Sequence, residues 1–148
     1  MQAGSELAVD VSSTLRRRLV SLKRARKVAM LALESERVKN AMLSIVFVST
    51  QKIALMNSEY LKKQRPTDVI AFGFGSGSHG GTVVGDIYIC PDVARKNAQA
   101  ESVSLREELD RLVVHGVLHV LGHEHPESDR RVASKMWKKQ ESILRRAR

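Results

Sequence analysis

Four of the chain's five histidines fall in one window, His115-Gly116-Val117-Leu118-His119-Val120-Leu121-Gly122-His123-Glu124-His125. His115 and His119 are four residues apart, so on a helix their rings lie ~40° apart on one face, one turn above the other. That spacing lets two imidazoles grip one metal ion. Gly122 can take the left-handed backbone that ends a helix, and Pro126 does not easily continue one. His125 then falls where the chain has turned, and it supplies a third ligand from the side. Three neutral imidazoles with an open fourth position describe a catalytic zinc site rather than a closed structural one. His123 and Glu124 compete for the third place, but a helix ending at Gly122 carries both off the His115–His119 face. The same three imidazoles also suit nickel or copper.

The spacing parallels the His-Glu-x-x-His-x-x-Gly-x-x-His pattern of zinc peptidases, in which the glutamate is the general base for water. Gly116 occupies that position here, so a peptidase reading lacks its proton acceptor. What remains is Lewis-acid polarisation and a lowered pKa of bound water. Charge names the acceptor. The chain holds 25 Lys and Arg against 16 Asp and Glu, a net +9. The excess sits in Arg16, Arg17, Arg18, Lys23, Arg24, Arg26 and Lys27, and in a tail from Arg130 to Arg148 whose only acid is Glu141. Such clusters attract a polyanion through counterion release, which makes a phosphodiester the natural substrate. The alternative is a pair of solvated helix faces kept basic for solubility.

The elements that must hold these groups fit one domain, residues 1–148. Hydrophobic residues make up 43% of the chain and charged ones 28%, an ordinary globular balance that excludes global disorder. No apolar run reaches the ~18–20 residues a membrane helix needs, so no membrane partner is expected. With Cys90 as the single cysteine and no secretory signal visible, a reducing cytoplasm is expected. Alternation predicts a strand over Glu6 to Val11, then a helix capped by Ser12, Ser13 or Thr14 and running to about Val38 on Leu15, Leu19, Leu22, Ala25, Ala29 and Leu33. Further strands are expected over Met42 to Val48, Asp68 to Phe74 and Thr82 to Cys90. Helices are expected from Thr50, acting as cap, to about Lys62, from Pro91 to about Ala100, from Glu107 to Gly122, and from about Glu127 or Ser128 to the C-terminus. Gly73 to Gly81 reads as a hairpin-type connection. The fold expected is α+β, a single domain with a roughly four-stranded mixed sheet flanked by helices and a metal site on a C-terminal helix.

His115-Gly116-x-Leu118-His119-x-x-Gly122-x-x-His125 resembles the signature of the YbeY-type endoribonucleases, and the likeness extends further. Leu55-Met56-Asn57, Tyr60 and Pro66-Thr67-Asp68-Val69-Ile70-Ala71-Phe72 are similar to that family's Asn-containing helix and Pro-Thr-Asp-Val-Leu-Ser-Phe strand, and Gly85-Asp86-Ile87 to its Gly-Asp-Ile strand. The resemblance implies a metal-dependent, single-strand-specific endoribonuclease of ribosomal RNA maturation, particularly at the small-subunit 3′ end, and of ribosome quality control. It carries one zinc ion onto His115, His119 and His125, with His115 and His119 as catalytic residues. Expected partners are single-stranded RNA and the ribosomal small subunit, with no DNA specificity and a monomeric chain.

The family's arginine four residues after the asparagine is Leu61 here, and its Tyr-Asp before the last histidine is His123-Glu124. Lys62, Lys63 and Arg65 are the neighbouring candidates for the phosphate contact, lysine holding phosphate as a point charge rather than a fork. Alternatively the three are exposed loop charges. Leu61 also supports a second reading, a ribosome-associated RNA-binding factor whose metal is mainly structural. The glycine-rich stretch is no phosphate loop, since no Gly-Lys-Ser/Thr follows, and His79 within it reads as a surface residue. Asp86 reads as a brace. Thr67 and Asp68 could bond a histidine from behind and fix its ring. Cys90 and Trp137 read as packing. With six aromatics in the chain, stacking platforms are scarce and affinity rests on charge.

Overall fold

The structure, a computed structural model, describes residues 6–17, 20–61, 67–74, 81–123 and 135–148. β1 (Glu6–Ser13), β2 (Asn40–Phe47), β3 (Val69–Gly73) and β4 (Val83–Ile89) form one mixed sheet in the order β1-β2-β4-β3. β1 runs parallel to β2 and β2 to β4, while β3 and β4 are antiparallel, as the hairpin-type connection predicts. Residues 75–80 of that connection, His79 included, lie outside the described residues.

Period-two alternation sends Ile45, Phe47, Ile87 and Ile89 to one face, where they are fully buried. Two helices cover this face, α1 (Leu22–Ser35) and α4 (Leu105–Val120), and α5 (Lys135–Ala147) packs against both of them. α2 (Thr50–Leu61) covers part of the opposite face, where Ile53 and Met56 meet Ile70, Phe72 and Tyr88. α3 (Pro91–Ala100) starts on Pro91, whose missing N–H costs nothing at a first turn, and packs Ala94 into the main core.

Several element ends differ from the sequence expectation, and at three helix starts a serine cap explains the difference. The first helix is capped by Ser21, whose Oγ accepts from Arg24 N–H at 3.0 Å, and not by Ser12–Thr14. Those earlier residues are held by the sheet: Ser13 pairs with Phe47, and Thr14 N–H donates to the Phe47 carbonyl at 3.0 Å. Ser49 rather than Thr50 caps α2, accepting from Lys52 N–H at 3.1 Å. Ser104 caps α4 through Glu107 N–H at 3.0 Å, so the helix starts at Leu105. It ends at Val120, two residues before Gly122. The expected start of the last helix falls outside the described residues. No described helix is long and apolar enough to cross a membrane.

Candidate metal centre

α4 is the element that places the histidines, and its seating is set by small residues. Gly122 has φ +98°, and the backbone closes there with His123 N–H on the Leu118 carbonyl and Gly122 N–H on the His119 carbonyl, both at 3.0 Å. This doubly bonded left-handed stop is what the glycine permits. The end of the helix then rests in a notch made by Gly73 and Gly85, which pair across β3 and β4. A Cβ on Gly73 would stand 2.8 Å from the Val120 carbonyl oxygen, and one on Gly85 would stand 2.5 Å from Val120 Cγ1. One turn back, a Cβ on Gly116 would meet Ile87 Cγ2 at 2.7 Å. The position where zinc peptidases carry their glutamate therefore points into the sheet, and no side chain there could reach a substrate.

His115 and His119 occupy one face of α4, as their spacing predicts. Their rings are nearly parallel, 15° apart, with centroids separated by 6.4 Å. His119 is exposed and His115 half-buried. His115 Nδ1 lies 3.0 Å from Gln140 Oε1 on α5, a buried amide that the sequence reading did not weigh. Gln140 Nε2 donates to Glu141 Oε2 at 3.2 Å, and Arg111 donates to Glu141 through Nε (3.0 Å) and Nη2 (3.2 Å) while its Nη1 reaches Glu108 at 3.1 Å. Burial works to lift the Glu141 pKa, but hydrogen bonds from Arg111 and Gln140 outweigh it and hold the carboxyl below its ordinary value. Burial likewise works against the Arg111 charge and is outweighed by Glu141 and Glu108, so its pKa is raised. Glu108 moves upward because burial dominates. The one sequence signal that could have pointed to this network is the lone acid, Glu141, in an otherwise basic tail.

A cavity of about 690 Å³ opens beside His115, lined among others by Thr67, Asp68, Glu108, Arg111, Trp137 and Gln140. Trp137 thus borders the site instead of only packing in the core. Asp68 accepts from Asn97 Nδ2 at 3.1 Å, and the Nδ1 partner of His115 is Gln140. His123 Nε2 sits 2.9 Å from Glu36 Oε1, a carboxylate that Lys139 also approaches at 3.2 Å, which places His123 against the C-terminal end of α1. His125, the expected third donor, and Glu124 lie outside the described residues, as do Lys62, Lys63 and Arg65. Among the described residues, no group of three or more His, Cys, Asp or Glu that could hold a metal is assembled. The imidazole donors brought together among the described residues are two, on successive turns of α4, a set that suits a borderline-soft divalent cation.

Cys90 is fully buried beside Thr50, consistent with packing. The basic clusters are not uniformly solvated. Arg24 is folded inward onto Asp110 at 2.8 Å and the Ala147 carbonyl at 2.7 Å, whereas Lys23, Lys27, Lys135, Lys138, Arg145 and Arg146 are exposed. The few aromatics are also less scattered than composition suggests: Phe72 makes edge contacts with Tyr60 at 5.5 Å and Tyr88 at 6.3 Å.

Fold and site together define an α+β protein that offers a helix-borne histidine pair, one member of which, His115, borders a cavity beside a mixed sheet. The model of the family described as Endoribonuclease YbeY matches residues 12–148. The chain belongs to this YbeY endoribonuclease family. The "Endoribonuclease YbeY" of Aquifex aeolicus is 39% identical over 111 residues, covering 75% of this chain and 74% of that protein. The protein of the same name from Geobacter metallireducens is 34% identical over 141 residues, covering 93% and 94%. A solution structure of a Thermotoga maritima protein shares the fold with a TM-score of 0.62 at 23% identity, covering 94% of this chain and 88% of that one.

Proposed function

We propose that this chain is a zinc-dependent, single-strand-specific endoribonuclease that acts in ribosomal RNA maturation, at the small-subunit 3′ end, and in ribosome quality control. The observation that supports this most is the pair His115 and His119 on one face of α4, set within a chain the YbeY family model matches over residues 12–148. His115, His119 and His125 would hold the ion. When bound, zinc supplies Lewis-acid stabilisation of phosphate charge and a lowered pKa for water. The protein's own part is orientation and charge. His115 is held from behind by Gln140, and its half-buried ring borders the neighbouring cavity. The exposed lysines and arginines of α1 and α5 attract the strand, with Lys62, Lys63 and Arg65 proposed as further phosphate contacts.

The test is cleavage of a single-stranded RNA, against its duplex, by purified protein with and without chelator. Zinc-restored cutting of the single strand is expected, and chelator-insensitive cutting would overturn the metal reading. Product ends distinguish the nucleophiles, because a 2′,3′-cyclic phosphate requires attack by the RNA 2′-hydroxyl. Leu61, which stands at the family's arginine position, favours one other reading: an RNA-binding factor with a mainly structural metal. RNA binding without metal-dependent cleavage would select it.

A further inference from the structure

We infer that Gln140 is a positioning residue for the candidate metal centre: it fixes the proton of His115 on Nδ1 and so directs the Nε2 lone pair of that ring toward the ion, an inference that rests on the metal reading above. The hydrogen-bond chain is fixed from its outer end inward. Arg111 is a pure donor, clamped between Glu108 at 3.1 Å and both oxygens of Glu141 at 3.0 and 3.2 Å. Glu141, paired in this way, is an acceptor toward its remaining neighbour. The group facing it at 3.2 Å is the Gln140 amide, which must present its NH2. Turning the amide over would set an oxygen against a carboxylate. The amide oxygen therefore faces His115 Nδ1 at 3.0 Å, and because it can only accept, the imidazole proton lies on Nδ1. A neutral ring with its proton there carries its lone pair on Nε2.

A buried glutamine could also be a simple tie between α4 and α5, since it is only 2% exposed. The two roles separate experimentally. The tautomer of His115 is read in metal-free, 15N-labelled protein by long-range 1H–15N correlation at a pH where the ring is neutral, and zinc affinity by competition with a chromogenic chelator. Wild type should show Nδ1–H. Gln140→Met keeps the volume but removes the acceptor, so it should lose the Nδ1–H signature and bind zinc about 10–100-fold more weakly. Gln140→Glu combined with Glu141→Gln keeps an acceptor against His115 Nδ1 and a donor–acceptor match between positions 140 and 141, and it should retain the tautomer and most of the affinity, a rescue that a tie alone does not require.

If Gln140→Met does not fold, Glu141→Gln carries the test. It leaves the His115 contact in place but frees the amide to turn over, so a mixture of tautomers is expected. A folded Gln140→Met protein with unchanged tautomer and unchanged zinc affinity overturns the inference. So does a zinc-binding wild type whose His115 carries its proton on Nε2. Wild type showing Nδ1–H but no zinc binding overturns the metal reading instead, and with it the purpose assigned to Gln140.

Discussion

Asp110 and Arg111 are neighbours on α4, and each anchors an arginine–carboxylate network on a different flank of that helix. On one flank Asp110 takes Arg24 through two bonds, at 3.3 and 2.8 Å, and the same guanidinium finishes on the Ala147 carbonyl. On the other, Arg111 takes Glu141, and the chain continues through Gln140 to His115. The donor–acceptor chemistry is the same and so is the degree of burial, each arginine side chain being 18% exposed. What differs is the last member. A network that closes on a backbone carbonyl can only join α1, α4 and α5, whereas one that closes on an imidazole can set the state of a reactive group. The role of an ion pair is read from what it terminates on.

The largest effect expected is at that terminus. His115→Ala and His119→Ala should each reduce cleavage of single-stranded RNA to the level of chelator-treated protein, measured at matched folded fraction. Residual zinc-dependent cutting in either would remove the imidazole pair from the centre of the site. Next come the networks themselves. Asp110→Ala and Glu141→Ala should each lower unfolding stability by about 1.5–3 kcal/mol, the usual worth of hydrogen bonds to charged groups. Only Glu141→Ala should also weaken zinc binding, by about tenfold. Equal losses of zinc affinity in the two variants would erase the distinction between the flanks.

Gly116 lies beneath both flanks, against β4. Gly116→Ala places a methyl 2.7 Å from Ile87 Cγ2, on a side chain that is stiff at its branch. Overpacking should cost about 1–3 kcal/mol, of which the better helix propensity of alanine returns up to about 1. Chemical denaturation in wild-type and Ile87→Ala backgrounds checks this: the glycine substitution should cost less once Ile87 has been trimmed. Equal cost in both backgrounds would place the strain elsewhere.

How much of this was legible follows the same division between local and distant. The alternation of Leu7, Val9 and Val11, the β-branched run around Ile45 and the left-handed stop at Gly122 are local signals, and the elements stand where those signals put them. The histidine pair was legible because a four-residue step on a helix leaves one face to share. The choice of Ser21 over Ser12–Thr14 as cap was not, because it is decided by β1 continuing its register to the Ser13–Phe47 pair. Gln140 was not legible either: it meets His115 across 25 positions of sequence, and nothing in a basic helix marks one amide as buried. Gly85 matched a family pattern, but its cause, the approach of Val120, belongs to the packed helix.

Acid offers a gentler probe of the site-side network. Glu141's folded pKa lies below its ordinary value of 4.5. A carboxyl depressed on folding contributes stability that is fully present above the unfolded value and lost as pH falls through the folded one. The stability advantage of wild type over Glu141→Gln should therefore be constant at neutral pH and shrink below about pH 4.5. Glu108, which burial shifts the opposite way, is present in both proteins and so largely drops out of the difference. An advantage that grows on acidification would mean that Glu141 is not held as an anion by Arg111.

The smallest effect expected concerns an arginine that the chain lacks at position 61. Arg24 and Arg111 are both spent on carboxylates within the fold, so neither adds to the charge offered to a strand. Position 61, the last residue of α2, holds leucine where the family resemblance places an arginine. Leu61→Arg should raise affinity for a single-stranded RNA a few-fold at low salt. It should also steepen the fall of log affinity with log salt by about 0.7, the increment of one phosphate contact on a single strand. Fluorescence anisotropy across a salt series, with metal-free protein so that nothing is cut, reads both quantities. An unchanged slope would mean that a guanidinium at position 61 does not meet phosphate, and the strand would then have to be held by the exposed cations of α1 and α5. Charge reversal at Lys27 and Arg146, both exposed and on neither arginine network, would follow that route directly.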